Sequence, residues 1–233
     1  MSLGTAVLDL LFPPKCPFCQ RLLEDPRALL CPDCQRKLPW LTGRQGERRV
    51  DFADSCLSPL AYRDRVPDAV HRFKFSGVRA YAKPFGALMA QCARDGLEES
   101  PDLVTWAPLS RKRLRERGYD QAELLARQVG KLLDLPALPL LKKARHTAPQ
   151  SGLEEAGARR ANALGAYEPL PGDGAAGKRV LLVDDVVTSG ATLSECARVL
   201  RQGGVVRVDC LTLAQARGDG GAGPEMPGRE KIG

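Results

Sequence analysis

The sequence predicts an α/β protein in which a parallel sheet is flanked by helices, with a small metal-binding module at its N-terminal end. Three observations predict this fold. A short apolar run at 180–183 is rich in β-branched residues, as is typical of strands buried on both faces of a parallel sheet. A helical pattern of apolar residues follows it at Leu193, Ala197 and Leu200. Two C-x-x-C pairs near the start of the chain indicate a metal site.

The composition limits the classes of protein to which this chain can belong. Its 233 residues suffice for one domain with a substantial core and a smaller module. The net charge of +7 favours an anionic ligand or a nucleic acid, although such basicity also occurs without either. No apolar run is long enough to cross a membrane, and the first residues lack the basic leader of a signal peptide. We therefore expect a cytoplasmic protein without membrane insertion.

The first 48 residues are predicted to form the module. An amphipathic helix is expected over 1–14, and the stretch CPFCQRLLEDPRALLCPDC follows at 16–34. Its two cysteine pairs can complete a tetrahedral zinc site with Zn–S bonds of about 2.3 Å, which leaves no open position, so the zinc is predicted to be structural. A redox C-x-x-C would use only one pair, and disulfides are not expected in the cytoplasm. The predicted ligands are Cys16, Cys19, Cys31 and Cys34.

The second domain is predicted over 49–216, and a disordered tail rich in Gly and Pro over 217–233. Its strands are expected at 55–62, 102–108, 140–145, 180–183 and 205–213, and its helices at 66–75, 80–93, 121–133 and from 193 onward. His71 is interpreted as a structural hydrogen-bonding residue. The cysteines outside the module are interpreted as core thiols: Cys56, Cys92, Cys196 and Cys210.

Five basic side chains crowd into a turn-rich segment after the strand at 102–108: Arg111, Lys112, Arg113, Arg115 and Arg117. Ligand sites of doubly wound sheets cluster at the carboxyl ends of the strands. The cluster therefore suits a pyrophosphate group or a nucleic-acid backbone, and it is equally compatible with a solvated helix end. Further along, residues 145–168 are short of β-branched side chains, and such a loop is able to close over a bound substrate.

The stretch RVLLVDDVVTSGATL at 179–193 gives the strongest indication of function. A strand ends in Asp184 and Asp185, and a loop of small hydroxylated residues leads into a helix. Loop amides and the helix N-terminus favour a phosphate group, and Gly190 allows the backbone to approach it closely. Carboxylates repel phosphate, so ribose hydroxyls or a hydrated magnesium ion are their expected partners. A phosphate beside a ribose diol describes a 5-phosphoribosyl group.

Three other interpretations of this stretch are weaker. A response-regulator receiver domain also begins with a strand that ends in two aspartates, but it needs about a hundred further residues. A buried strand before an N-capped helix explains Thr188 or Ser189 as a cap and leaves the carboxylates unexplained. Upstream, Gly172, Gly177 and Lys178 match part of a P-loop, but Arg179 occupies its Ser/Thr position and the stretch precedes a strand.

The stretch resembles the loop of type I phosphoribosyltransferases that binds 5-phosphoribosyl pyrophosphate (PRPP). A much larger part of the chain than this stretch is similar to the ComF family of amidophosphoribosyltransferase-like proteins. That similarity extends to about Ala216 and includes the cysteine module, the PRPP loop, Phe73-Lys74-Phe75 followed by Gly77, and Arg117-Gly118-Tyr119 with Gln121. It also includes Arg145 with Thr147 and Gln150, and Arg160 with Asn162. Asp120 and Ser189 stand where the family commonly has Asn and often has Thr.

The resemblance implies three groups of site residues. The acidic pair would hold the ribose hydroxyls, and the following loop the 5′-phosphate, so the PRPP-binding set is Asp184, Asp185, Val187, Thr188, Ser189, Gly190, Ala191 and Thr192. The segment after the strand at 102–108 would hold pyrophosphate, through Pro108, Leu109, Ser110, Arg111 and Arg113. The flexible-loop candidates are Arg145, Gln150, Arg160 and Asn162.

The resemblance also implies a function. Family members support uptake of transforming DNA, so PRPP with Mg²⁺, single-stranded DNA and the DNA-uptake machinery are the expected partners. Thr188 stands where purine salvage enzymes of the hypoxanthine type carry a carboxylate base, and threonine cannot act as that base at neutral pH. A 6-oxopurine acceptor is therefore not expected. Two function classes stay open, namely a phosphoribosyltransferase with an unknown acceptor and a non-catalytic protein that binds single-stranded DNA and only senses a phosphoribosyl compound.

Overall fold

The computed structural model describes residues 14–144, 164–172 and 174–216. The N-terminal helix expected over 1–14 (apart from Pro14), the four flexible-loop candidates and the tail over 217–233 lie outside this range. No helix in the described part of the chain is both long and apolar enough to cross a membrane. All eight cysteines are free thiols.

The helices and strands follow the predicted order closely. The strands are β1 (Ser55–Leu57), β2 (Leu60–Ala61), β3 (Leu103–Trp106), β4 (Leu141–Lys143), β5 (Tyr167–Pro169), β6 (Arg179–Val187) and β7 (Arg207–Gln215). The helices are α1 (Pro32–Lys37), α2 (Val66–Phe75), α3 (Ala82–Gly96), α4 (Arg111–Arg117), α5 (Gln121–Leu133) and α6 (Ala191–Gln202). Single 3₁₀ turns occur at Gly43–Gly46 and Arg79–Tyr81.

The main sheet is parallel and has the strand order β1-β7-β6-β3, with β2 continuing along β7 beyond β1. The predicted 55–62 strand is therefore two short strands, interrupted at Ser58 and Pro59. The central strand β6 is buried from Val180 to Val183, as its apolar run predicts. The α/β fold with a parallel sheet is confirmed.

Two separate cores lie on the two faces of this sheet. Leu181 and Val183 point into one core with α2, α3 and α5, whereas Val180 and Leu182 point into the other with α6. This alternation follows from the two-residue period of a strand. The small sheet formed by β4 and β5 also packs on the α6 face. Side chains further along β6 consequently face different surroundings according to whether their position is odd or even.

The segment predicted as a strand over 140–145 forms β4, which lies outside the main sheet. Leu138 donates a backbone hydrogen bond to the carbonyl of Val104 (2.9 Å), and Ala137 forms a single bridge with the same residue. The chain then leaves the main sheet, and β4 pairs with β5 in an antiparallel sheet of two strands. The reason is that Leu140 and Leu141 bury their side chains in the α6 core instead of extending the edge of the main sheet.

The cysteine module, residues 14–48, packs directly on α2 and α3. The ring of Phe18 lies 5.4 Å from that of Phe85, which in turn contacts Phe73. Arg72 donates hydrogen bonds of 3.0 Å to the carbonyls of both Pro17 and Phe18. Module side chains therefore share one apolar core with the helices of the larger domain.

Candidate functional site

Four cysteines of the module form a compact cluster. The Sγ atoms of Cys16, Cys19, Cys31 and Cys34 all lie within 4.8 Å of one another. A zinc ion with bonds of about 2.3 Å in a tetrahedron places its sulfur ligands about 3.8 Å apart, so the cluster fits this ion. Among the described residues it is the only group of three or more His, Cys, Asp or Glu side chains able to hold a metal. The arrangement supports the predicted structural zinc.

The surroundings of the cluster favour a thiolate, the form that binds zinc, at Cys31, whereas burial raises the pKa of Cys19 and of Cys34. Arg65 donates to Cys34 Sγ (3.4 Å) and also contacts the Asp33 carboxylate (3.5 Å). Burial raises the pKa of Cys31, but hydrogen bonds from the Cys34 backbone N–H and the Cys19 thiol outweigh it and lower that pKa to about 7. The cluster therefore combines metal-ligand geometry with partial stabilisation of negative charge.

The acidic pair lies near the carboxyl end of β6, and its two side chains point to opposite faces of the sheet. Asp185 shares a face with Leu181 and Val183, and Asp184 shares the α6 face with Leu182. The backbone N–H of Asp185 donates to Asp184 Oδ1 at 2.8 Å. The two carboxylates thus meet different sets of neighbours, although they are adjacent in the sequence.

On the Asp185 face, the neighbour is a lysine. Lys74 Nζ lies 2.8 Å from Asp185 Oδ1, with the two side chains only 23% and 11% exposed. Burial alone would lower the pKa of Lys74, but the negative charge of Asp185 and its hydrogen bond more than offset this and raise the pKa. Lys74 comes from the last turn of α2, more than a hundred residues before Asp185. Sequence reasoning did not assign it to the site, because a lysine on a helix ordinarily indicates a solvated position.

On the Asp184 face, the nearby basic group is Lys143 of β4. Its Nζ donates to the Tyr167 hydroxyl at 3.1 Å and lies 4.9 Å from the centre of that ring. Burial, and to a lesser extent the charge of Arg113, lowers the pKa of Lys143. Burial raises the pKa of Asp184 to about 8, with a further contribution from the charge of Asp185. The ligand-free site therefore favours a protonated Asp184 at neutral pH.

The loop after the acidic pair has the backbone that its sequence predicts. Gly190 adopts φ +80° directly before α6, and an added Cβ there would lie 3.5 Å from Val50. Ser189 Oγ accepts a hydrogen bond from the Ala191 N–H (3.4 Å), within the first turn of the helix. Thr188 is exposed, whereas Val187 is buried and its carbonyl accepts from the Ala216 N–H. The N-terminus of α6 is thus directed at the loop.

The predicted pyrophosphate segment lies beside the acidic pair. Trp106 is the register partner of Val183, and the Ala107 N–H donates to the Val183 carbonyl (3.0 Å). The next residues, 108–110, therefore run along the same edge of the sheet as residues 184–187. The Leu109 N–H donates to Asp120 Oδ2 at 2.7 Å, and Ser110 caps α4. Asp120 also caps α5, so this carboxylate fixes the segment to the helix behind it.

Comparison with known proteins agrees with this geometry. Residues 115–228 match a phosphoribosyl transferase domain, and residues 7–47 match a double zinc ribbon domain. Competence protein F of Haemophilus influenzae is 30% identical over 87% of this chain and 97% of its own length. The chain belongs to the ComF family. Similar members include competence protein ComFC of Bacillus subtilis, 27% identical over 86% of this chain and 78% of its own. DNA utilization protein YhgH of Escherichia coli K12 is 29% identical over 84% of this chain and 88% of its own length.

The basic run of this ComF-family chain is a helix, which corrects the prediction of a turn-rich segment. Ser110 caps α4 at its start, and Gly118, with φ +75°, ends it. The helix divides the cluster, because residues four apart share a face. Arg113 and Arg117 are partly buried, while Arg111 and Arg115 are exposed. Only Arg113 and Arg117 face the core side of the helix.

The structure thus brings together three of the predicted parts and leaves one outside. The acidic pair, the loop at 188–192 and the segment at 108–113 meet at the carboxyl edge of the sheet, and the contact of Lys74 with Asp185 adds a group from α2. Arg145, Gln150, Arg160 and Asn162 lie outside the described residues. His71 is exposed with its ring 4.7 Å from that of Phe75, and the structure gives it no place beside the acidic pair.

Proposed function

We propose that this ComF-family protein binds PRPP with Mg²⁺ at the carboxyl edge of its sheet and supports the uptake of DNA. The observation that carries the proposal is the acidic pair at the end of β6, followed by a phosphate-binding type of loop that opens into α6. Relatives named as competence and DNA utilization proteins support the biological context. A cytoplasmic location fits eight free thiols, since such compartments keep cysteines reduced.

Each part of PRPP has a suitable group at this edge. Asp184 and Asp185 would accept hydrogen bonds from the 2′- and 3′-hydroxyls of ribose. The amides and hydroxyls of 188–192, together with the helix N-terminus, would hold the 5′-phosphate. The pyrophosphate group would be held by Pro108, Leu109, Ser110, Arg111 and the partly buried Arg113. When bound, Mg²⁺ would neutralise charge on the phosphate oxygens, which is the chemistry that this ion supplies.

We infer that the protein acts as a phosphoribosyltransferase toward an acceptor of unknown identity. Pyrophosphate would leave from an anomeric carbon with cation-like character, so positioning and charge stabilisation are sufficient for catalysis. Thr188 and Ser189 offer no side chain able to act as a base near neutral pH. The acceptor would consequently have to be a nucleophile that needs no deprotonation by this loop.

A second function is favoured by one observation. The exposed face of α4 carries Arg111 and Arg115, away from the partly buried pair Arg113 and Arg117. A single DNA strand could bind there through its phosphates while the phosphoribosyl site serves only for sensing. In that case PRPP would bind without turnover.

Calorimetry of PRPP binding with and without Mg²⁺ tests the first proposal. Losing a charge-assisted hydrogen bond costs about 1.5–3 kcal/mol, so Asp184→Asn/Asp185→Asn should weaken binding at least about tenfold. Gly190→Val should do the same, because its side chain would occupy the approach to the phosphate. Gly177→Val is the matched control, since Gly177 has a similar φ of +73° but lies in the turn before β6. Unchanged affinity in both site variants would show that the ligand does not bind at this edge.

A further inference from the structure

We propose that Lys74 is the site's own counter-cation, which neutralises Asp185 and makes phosphoribosyl binding less dependent on a divalent metal. The inference rests on the proposed PRPP site and concerns how an anionic ligand is accepted beside two carboxylates. The starting observation is the 2.8 Å contact between Lys74 Nζ and Asp185 Oδ1.

This contact is held in place from both sides of Lys74. The Tyr119 hydroxyl donates to the carbonyl of Phe73, and Gln121 Nε2 reaches the carbonyl of Lys74 at 3.5 Å. The guanidinium of Arg117 lies 4.7 Å from the centre of the Phe75 ring. Three side chains of residues 117–121 thus contact three successive residues of α2. These contacts fix the backbone from which Lys74 extends, so the ion pair is not a chance contact between mobile surface groups.

The burial of the pair makes its charge effective. Solvent screens exposed ion pairs strongly, and their contribution is then small. The Asp185 and Lys74 side chains are only 11% and 23% exposed, which reduces that screening. The charge of Asp185 also acts on the pKa of Arg117, but the Arg117 guanidinium donates to Gln121 Oε1 (2.8 Å) and stacks on Phe75. Among the described residues, Lys74 is therefore the cation in direct contact with the acidic pair.

The chemistry of the ligand explains why such a cation is useful. A phosphoribosyl pyrophosphate carries several negative charges and has to bind within a few ångströms of the acidic pair. The contact with Lys74 uses Oδ1 of Asp185, and a carboxylate has a second oxygen able to accept a hydrogen bond from a ribose hydroxyl. Lys74 can in this way cancel the charge of Asp185 without removing its capacity as an acceptor. Asp184, whose pKa is raised, adds little negative charge in the free protein.

The experiment measures PRPP affinity by calorimetry across a series of Mg²⁺ concentrations, beginning in EDTA. Lys74→Met should weaken binding about tenfold or more without Mg²⁺, the loss expected for a charged contact. That deficit should shrink as Mg²⁺ rises, since the added metal replaces the missing positive charge. Lys74→Arg keeps the charge and should bind more like the wild type. Lys131→Met, on the exposed side of α5, is the matched control and should have no effect.

Zinc content and circular dichroism identify any variant that fails to fold. In addition, Lys74→Met and Asp185→Asn should weaken binding less than additively when they are combined, because each removes the same pair. A deficit of Lys74→Met that is equal at every Mg²⁺ concentration would mean a purely structural role and would overturn the inference alone. An unaltered PRPP affinity of Lys74→Met would also overturn the inference alone. A wild-type protein that binds no PRPP at any Mg²⁺ concentration would overturn the proposed function as well.

Discussion

The cysteine cluster and the proposed phosphoribosyl edge, the edge of the sheet at the carboxyl ends of β3 and β6, are built in opposite ways. All four thiols of the cluster come from residues 16–34, and spacing alone brings each pair together. The phosphoribosyl edge gathers groups from α2, from the β3–α4 segment and from the β6–α6 loop, which span positions 74 to 192. The cluster needs a metal to complete it. The edge instead supplies part of its positive charge from within the fold.

The difference shows how local and long-range sites depend on the remainder of the chain. The cluster also contributes to the core, because Phe18, which lies between Cys16 and Cys19, packs on Phe85. Loss of the metal should therefore affect stability more than loss of any single group at the phosphoribosyl edge. Three experiments test this comparison, in decreasing order of their expected effect on stability.

The largest effect is expected from removing zinc ligands. Cys31→Ser/Cys34→Ser leaves two thiols, too few for a closed site, so zinc should be lost and the module should unfold. The free energy of zinc binding to isolated zinc-finger peptides, about 10–16 kcal/mol, is the upper limit of the expected loss in stability. Elemental analysis should find one zinc per wild-type chain and none in the variant, and thermal unfolding should begin at a lower temperature. Cys92→Ser, outside the cluster, is the control. Full zinc occupancy in the double variant would exclude these ligands.

A smaller effect of opposite sign is expected at Asp184. Its pKa is about 8 in the folded protein and about 3.9 when unfolded. Between these values the folded state holds a proton that the unfolded state has lost, so stability falls as pH rises from about 4 to 8. Asp184→Asn removes this dependence. The variant should be more stable than the wild type, with a difference that grows up to pH 8 and is then constant.

For Asp184→Asn we expect a gain of at least about 1 kcal/mol near pH 8, or about 2–4 °C in Tm for each kcal/mol in a chain of this size; the full pKa difference sets an upper limit of about 5–6 kcal/mol. Thermal unfolding followed across this pH range measures it, with the exposed Asp51→Asn as control. The same substitution should weaken PRPP binding, so it would raise the stability of the folded protein and lower its affinity for the ligand. A variant no more stable than the wild type at any pH would show that Asp184 is ionised in the folded protein.

The smallest effect on stability is expected on α4. Arg111→Ala/Arg115→Ala removes two exposed charges, which contribute little to folding. If that face binds single-stranded DNA, the dependence of log affinity on log salt should flatten by about 1.4, from roughly 0.7 per phosphate contact. Arg113→Ala, on the partly buried face, should instead weaken PRPP binding. A salt dependence unaffected by the exposed pair would exclude this face as the DNA-binding surface.

The contrast between the two sites also explains which features of the protein could be predicted from its sequence. The cysteine spacing predicts the cluster, and the apolar run with its acidic end predicts β6, the loop and α6, because each signal is contained in one short segment. The helices at 66–75 and 121–133 were predicted with their observed bounds, since their apolar residues recur at helical spacing. The strand at 140–145 was predicted without a partner, because no local pattern specifies that it pairs with β5 in a separate sheet.

The sequence by itself determined the four-cysteine cluster, the parallel sheet and the position of the acidic pair along the chain, all of which follow from residue type and spacing. The tertiary structure alone decided which core each of Asp184 and Asp185 faces, that Lys74 lies against Asp185, and that α4 divides its arginines between two faces. The physical reason is that an ion pair between α2 and β6 depends on how layers pack. A helix and a strand a hundred residues apart carry no mark of that contact in their own periodicity.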